Sequence, residues 1–276
     1  MAYEYFNIAF EAGIFDACAD GCVVLAMADR LPSCVKQIIS DRPHFRTIVQ
    51  LNHGPDNKPD MPVKSSRADI CHAFNKAFLY AEELGWSKVL VLEDDFFLDP
   101  EAGRHAAAVA KFVNANRFHV YNLGRVAFVG WPVGIEGHWR AVWHGTSHAA
   151  VYSKAYMRMY TEQHSKDPAP IAAVGNDRWW NRFDAKNFVY GRPLAYQVFG
   201  STKNSESWKK GFTDFAVRLL GLHESHVPGY EILNALSKLI PVMVAAALLV
   251  PMFASSLRVS TSLETCSSLK NIESST

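Results

Sequence analysis

This 276-residue chain lacks any marked excess of positive or negative charge: 28 Lys and Arg stand against 27 Asp and Glu, a formal net charge of +1. No global field recruits nucleic acid or an acidic surface, and no nucleic-acid partner is expected. Cysteine is scarce. Cys18, Cys22, Cys34, Cys71 and Cys266 are an odd number without CxxC pairs, which leaves out a zinc site of that type and suits buried thiols in a reducing compartment. The opening residues lack a basic cluster, so no secretory signal is read there. Glycine is absent from Ala28 to Ser33, just after the first apolar run. A nucleotidyltransferase would usually place its Gly-rich phosphate loop there, which weighs against that class. No internal repeat is evident.

What is present starts with a hydrophobic fraction of 49%, enough for a sizeable core. Its most informative stretch is Val89-Leu90-Val91-Leu92 running into Glu93-Asp94-Asp95. A continuous aliphatic run reads as a strand buried on both faces, delivering three carboxylates to the edge of its sheet. Crowded carboxylates repel one another and need a cation, basic partners or water. A hard divalent ion, Mn2+ or Mg2+, suits oxygen-only ligands and usually keeps positions open for phosphate oxygens. The motif therefore points to chemistry on a phosphorylated donor.

Around it the pattern alternates. Val23 to Met27 reads as a first buried strand, then a helix to Ile39 with Ser33 as N-cap, a strand at Thr47 to Leu51, a loop at His53 to Pro62, and a helix over Ser66 to Glu83 stopped by Gly85. This β-α-β-α-β order predicts an α/β fold whose mixed, mainly parallel sheet is flanked by helices, with the ligand site at the strand carboxyl ends. A helix over Glu101 to Asn114 and a strand at Val120 to Leu123 follow. Gly124 to His144, with Trp131, Trp139 and Trp143, reads as a loop-rich or antiparallel insertion around a cleft. A short strand at His148 to Tyr152, a helix at Lys154 to Glu162 and late strands at Asn187 to Tyr190 and Ala195 to Phe199 complete the pattern.

Leu239 to Ala254 is uncharged, bracketed by Lys238 and Arg258. It is read as a C-terminal membrane anchor, with a hydrophobic helix packed on the domain as the alternative. The expected organisation is a catalytic domain over residues 1–210, a connecting helical segment over 211–237, the hydrophobic segment at 238–258 and a disordered tail at 259–276. The catalytic domain would then be cytoplasmic and membrane-associated, or, without the anchor, soluble in the cytoplasm.

Val91-Leu92-Glu93-Asp94-Asp95, preceded by a helix and by Ser65-Ser66-Arg67, resembles the acidic motif of the GT-A glycosyltransferases. It is most similar to the family 25 type of lipooligosaccharide and collagen galactosyltransferases, with related domains in large DNA viruses. Gly145-Thr146-Ser147-His148-Ala149-Ala150-Val151-Tyr152-Ser153, Asn176-Asp177-Arg178-Trp179-Trp180 and Tyr196-Gln197-Val198-Phe199 resemble further blocks of that family, so the likeness covers Val23 to Trp208. Arg67-Ala68-Asp69-Ile70-Cys71-His72-Ala73 departs from the family's Gly-Glu-Ile-Gly-Cys stretch, and the first strand lacks the Asn-Leu-Asp/Glu-Arg signature.

The resemblance implies a metal-dependent transfer, with inversion, of a sugar from a nucleotide-sugar donor to a hydroxyl of a glycan or glycoprotein. Asp95 would be a direct metal ligand, Glu93 a second through water or a ribose contact, and His148 a third. Asp94 would contact the donor sugar. Asp177 would be the base that deprotonates the acceptor, or merely an N-cap. Asp29 and Arg30, at the end of the first strand, and Arg67 or Lys64 would contact the nucleotide and diphosphate. Trp179, Trp180 and Trp143 would stack on acceptor sugars, with core packing as the alternative. An inactive carbohydrate-binding protein that keeps the sheet without turnover is the competing class, and a nucleotidyltransferase the third.

Overall fold

The computed structural model describes residues 2–59, 61, 63–135, 137–181, 185–197, 215, 218–221, 229–239, 241, 243 and 247. These residues form eleven strands and six α-helices up to Gln197, and residues 229–239 are helical as well. The first half runs β1 (Tyr3–Ala9), β2 (Gly21–Met27), α1 (Leu31–Asp41), β3 (Arg46–Asn52), α2 (Ser66–Glu83), β4 (Lys88–Glu93), β5 (Phe96–Leu98) and α3 (Ala102–Ala115). The second half adds β6 (Val120–Asn122), β7 (Phe128–Pro132), β8 (His138–His144), β9 (Ala149–Ser153), α4 (Lys154–Lys166), α5 (Ala169–Val174), α6 (Asn176–Trp179), β10 (Asn187–Tyr190) and β11 (Ala195–Gln197).

Nine strands form one mixed sheet in the order β1-β3-β2-β4-β9-β6-β10-β8-β7, and β11 pairs with β5 apart from it. Following the pairings, β2, β3, β4, β6, β7 and β10 run one way, while β1, β8 and β9 run against them. The parallel ladders are β2 with β3, β2 with β4, and β6 with β10. The expected β-α-β-α-β core is thus the β3-β2-β4 half, where helices supply the crossovers that parallel neighbours need.

Alternation along β2 and β4 builds both faces. Val24, Leu90 and Leu92 enter a core with Ile38 of α1 and Val109 and Phe112 of α3. Val23, Val89 and Val91 enter the opposite core with Phe74 and Phe78 of α2 and Tyr156 and Tyr160 of α4. Burial on both faces is why these strands read as unbroken aliphatic runs. The α2 helix starts where its residues predict: Ser65 caps it by accepting from the Ala68 backbone N–H at 3.1 Å. For α1 the reading is corrected. The helix starts at Leu31 with Pro32 in its first turn, and Ser33 lies inside it, its hydroxyl donating to the Arg30 carbonyl at 2.8 Å.

Strand β1 was not expected, being an edge strand of mixed character, and the insertion after β6 is an antiparallel hairpin, β7 and β8. Cys18, Cys22, Cys34 and Cys71 are buried free thiols, as expected. The closing segment after Gln197 and most of residues 238–276, with Cys266, lie outside the described residues. Among the described residues no helix is long and apolar enough to cross a membrane.

Candidate active site

Parallel pairing of β2 with β4 sets Leu25 opposite Glu93, so both strands end at the same edge. There a 3-10 turn at Ala28–Arg30 faces the acidic triplet. Asp94 spends both oxygens on this junction. Its Oδ2 accepts from the Met27 backbone N–H at 2.8 Å, and its Oδ1 pairs with Arg30 Nη1 at 2.8 Å. Expected as a contact to the donor sugar, Asp94 instead ties β4 to the exit of β2. Arg30, expected on the nucleotide, is its counter-ion, with Asp95 Oδ2 at 3.8 Å. Asp29 is exposed beside them.

Asp95 Oδ2 accepts from Gln197 Nε2 at 2.9 Å, whereas its Oδ1 is buried without any partner. Glu93 Oε1 and Asp177 Oδ1 both meet the Ser147 hydroxyl, at 2.5 and 2.7 Å. Ser147 follows Thr146, which adopts φ 67°, a left-handed conformation uncommon for a β-branched residue. Gly175, at φ 83°, turns the chain into α6 and so presents Asp177. A hydroxyl carries one proton, so Ser147 can donate to only one of these carboxylates. The other contact needs a protonated carboxyl.

Electrostatics agree with that proton count. Burial raises Glu93 well above the usual carboxylate range, and the charges of Asp95, Asp177 and Asp94 push it the same way. Burial also raises Asp94 to about 6 against the pull of Arg30, raises Asp95 against Gln197 and Arg30, and raises Asp177 against Ser147. Four carboxylates therefore crowd one edge with Arg30 beside Asp94 and Asp95, an arrangement that favours a bound cation.

The expected ligand trio of Asp95, Glu93 and His148 is not assembled. Among the described residues no group of three His, Cys, Asp or Glu side chains converges to hold a metal. His148 Nε2 faces the Ala195 carbonyl at 3.4 Å, its Nδ1 has no partner, and its ring lies against Tyr230. A side chain at Gly124 would collide with that ring, so glycine makes its room. The oxygen donors still fit a hard ion of the Mg2+ or Mn2+ type, which takes one or two carboxylates and completes its shell with phosphate and water. The unpartnered Asp95 Oδ1 is the available donor.

Arg67 reaches the α5–α6 turn, donating from Nη1 to the Ala173 carbonyl at 3.2 Å, and Lys64 caps the Pro55 and Lys58 carbonyls. The Arg67 charge also acts on Asp177. Trp179 and Trp180 are also corrected: both are buried, and Trp180 stacks on Tyr152 at 5.9 Å and tilts on His144 at 4.6 Å. Their place is the core. On the β7–β8 hairpin, Trp143 and Trp131 remain 43% and 52% exposed, the most exposed tryptophans among the described residues. Ser147, Gln197 and Tyr230 were missed by sequence reasoning. Ser147 and Gln197 lay inside blocks noted for their family likeness, but nothing local marks a lone Ser or Gln as a carboxylate partner.

His144 is fully buried, with Nδ1 2.9 Å from Asn122 Nδ2. Burial, helped by Arg125, pushes its pKa down to about 3. A histidine depressed in the fold stabilises it fully above its unfolded pKa near 6.5. That contribution is lost as pH falls from about 6.5 toward 3. The stability gap between the wild type and H144Q, measured by urea unfolding, is therefore expected to narrow across that range. A gap independent of pH would show that His144 is not held neutral.

No family model matches this chain, and no curated protein does. The solved structures that resemble parts of it include two at 10% identity. One is A197 from STIV, with TM-score 0.37 and 10% identity over 61% of this chain and 81% of that one. The other is a glycosyltransferase involved in the glycosylation of the major capsid of PBCV-1, with TM-score 0.36 and 10% identity over 67% of this chain and 96% of that one. At this level of likeness nothing about chemistry passes from either protein to this chain.

Proposed function

We propose that this chain is a glycosyltransferase that moves a sugar from a nucleotide-sugar donor to a hydroxyl of a glycan or glycoprotein, with inversion and with Mn2+ or Mg2+. The observation that carries the reading is the meeting of Glu93 and Asp177 on Ser147 at the carboxyl edge of β4, with the neighbouring Asp95 Oδ1 buried and unpartnered. Such an edge is where α/β sheets bind their ligands. Asp95, with Glu93 beside it, would hold the divalent ion, which neutralises charge on a departing diphosphate. Asp94 and Arg30 keep the edge rigid by closing β4 onto β2.

Asp177 is the candidate base. The Ser147 hydroxyl meets one of its oxygens, and Asp177 is exposed, so the other oxygen is open to an acceptor hydroxyl. Trp143 at the rim offers an apolar face to a sugar ring. The direct test is a panel of sugar nucleotides with Mn2+, followed by release of free nucleoside diphosphate. One donor is expected to be consumed in a cation-dependent way. Tight binding of a donor by calorimetry with no product from any acceptor would replace the enzyme with a sugar-nucleotide-binding protein.

A further inference from the structure

Arg125, in the connection between β6 and β7, is a charged group the proposed reaction does not use, and it is fully buried. Its Nη2 donates to Asn234 Oδ1 at 2.6 Å, and its guanidinium carbon stands 4.6 Å from the Phe128 ring centroid. Nε and Nη1 have no hydrogen-bond partner. Those two nitrogens carry three of the guanidinium's five N–H donors. No carboxylate faces Arg125 among the described residues; its charge is felt by Tyr121, Tyr196, His144 and Lys238. Burial lowers Arg125 to about 9, and burial together with Arg125 lowers the half-buried Lys238. Among the described residues, then, Arg125 is buried with no carboxylate facing it, and Lys238, half-buried, feels its charge.

A buried cation without an anion is one of the costlier arrangements a fold can hold, and an apolar residue of similar size would be more stable. The cover over it is helical residues 229–239. Asn234 also donates to the Gly191 carbonyl at 3.1 Å, Ser237 accepts from the Phe128 N–H at 3.1 Å, and Tyr230 hydrogen bonds the backbone of Gln197. Ile232, Leu236 and Leu239 of the same helix face outward, each about half exposed. Hydrogen bonds hold much of this cover in place, and an incoming anion can replace them at small net cost.

We propose that Arg125, beneath residues 229–239, forms with Lys238 of that segment an anion-binding site built for a phosphate-type oxyanion, with Asn234 Oδ1 occupying one oxygen position. A guanidinium fork with unspent donors on two nitrogens, next to an ammonium, matches a tetrahedral oxyanion with several acceptor oxygens. The site requires neither the acidic edge nor a sugar, so it stands or falls separately from the proposed transfer reaction.

The test titrates the full-length chain with inorganic pyrophosphate in EDTA, so that no cation at the acidic edge contributes, and follows thermal melting and calorimetric binding. The wild type is expected to bind and to melt higher as pyrophosphate is added. R125M is expected to start from a higher melting temperature and to bind at least about tenfold more weakly. R125K keeps the charge without the fork and should fall between them. K238M changes a half-buried residue and is expected to fold and to weaken binding. Absence of any response in the wild type, an equal response in R125M, or a lower melting temperature of R125M without ligand would overturn the site. Acetate acting as strongly as pyrophosphate, and losing its effect in R125M, would overturn the phosphate assignment.

Discussion

D95N is expected to lower cation-dependent turnover of the preferred sugar nucleotide by about 10²- to 10³-fold while the melting temperature stays level or rises. The two effects part because Asp95 carries charge that helps chemistry and harms the fold. Asparagine keeps an oxygen to accept from Gln197 Nε2, so the local hydrogen bond survives. It also removes one of the charges that push Glu93 upward, relieving like-charge repulsion in a buried cluster. What is lost is the unpartnered carboxylate oxygen, and with it the means to fix a cation against a leaving diphosphate, a contribution of this size where charge develops in a transition state. Turnover and thermal melting measured on the same preparation check it. Equal turnover in D95N and wild type would remove Asp95 from the metal site.

W180A is expected to cost about 3 to 5 kcal/mol of stability, since a fully buried tryptophan leaves a cavity as well as lost transfer energy. For a domain of this size that is a fall in melting temperature on the order of 10 °C. The ring lies among Tyr152, His144 and the α2 and α4 side chains, so the loss would spread through one whole face of the sheet. W143A is the contrast. Its side chain is on the hairpin surface, and its removal should leave melting within a degree or two while raising the acceptor KM several-fold. Thermal melts together with acceptor saturation curves separate the cases. A W180A protein that melts normally but binds acceptor poorly would return Trp180 to the sugar site.

These variants also show where local pattern stops being informative. Trp180 follows a helix of four residues, α6, too short to display a period from which its inward face can be read. An exposed sugar platform and a core anchor have the same sequence there. Arg30 and Asp94 were both placed at the site, but their mutual pairing depends on β2 and β4 lying side by side, which only the assembled sheet fixes. The same holds for Ser147, which stands 54 residues from Glu93 and 30 from Asp177 yet touches both. Arg125 gave no signal at all, because its burial is created by residues 229–239 packing over it from far along the chain.

By itself the sequence determined the elements whose information is local. An unbroken aliphatic run at Val89 to Leu92 reads as a strand covered on both faces, with its carboxylates emerging at that strand's end, and β4 is that strand. Helical spacing and a terminal Gly defined α2 in the same way. Tertiary structure alone decided which carboxylates share a proton-bearing partner, which tryptophans face water and which cation is buried with no carboxylate facing it among the described residues. Those properties depend on distances between segments remote in the chain, and burial and Coulomb energies follow spatial separation rather than sequence separation.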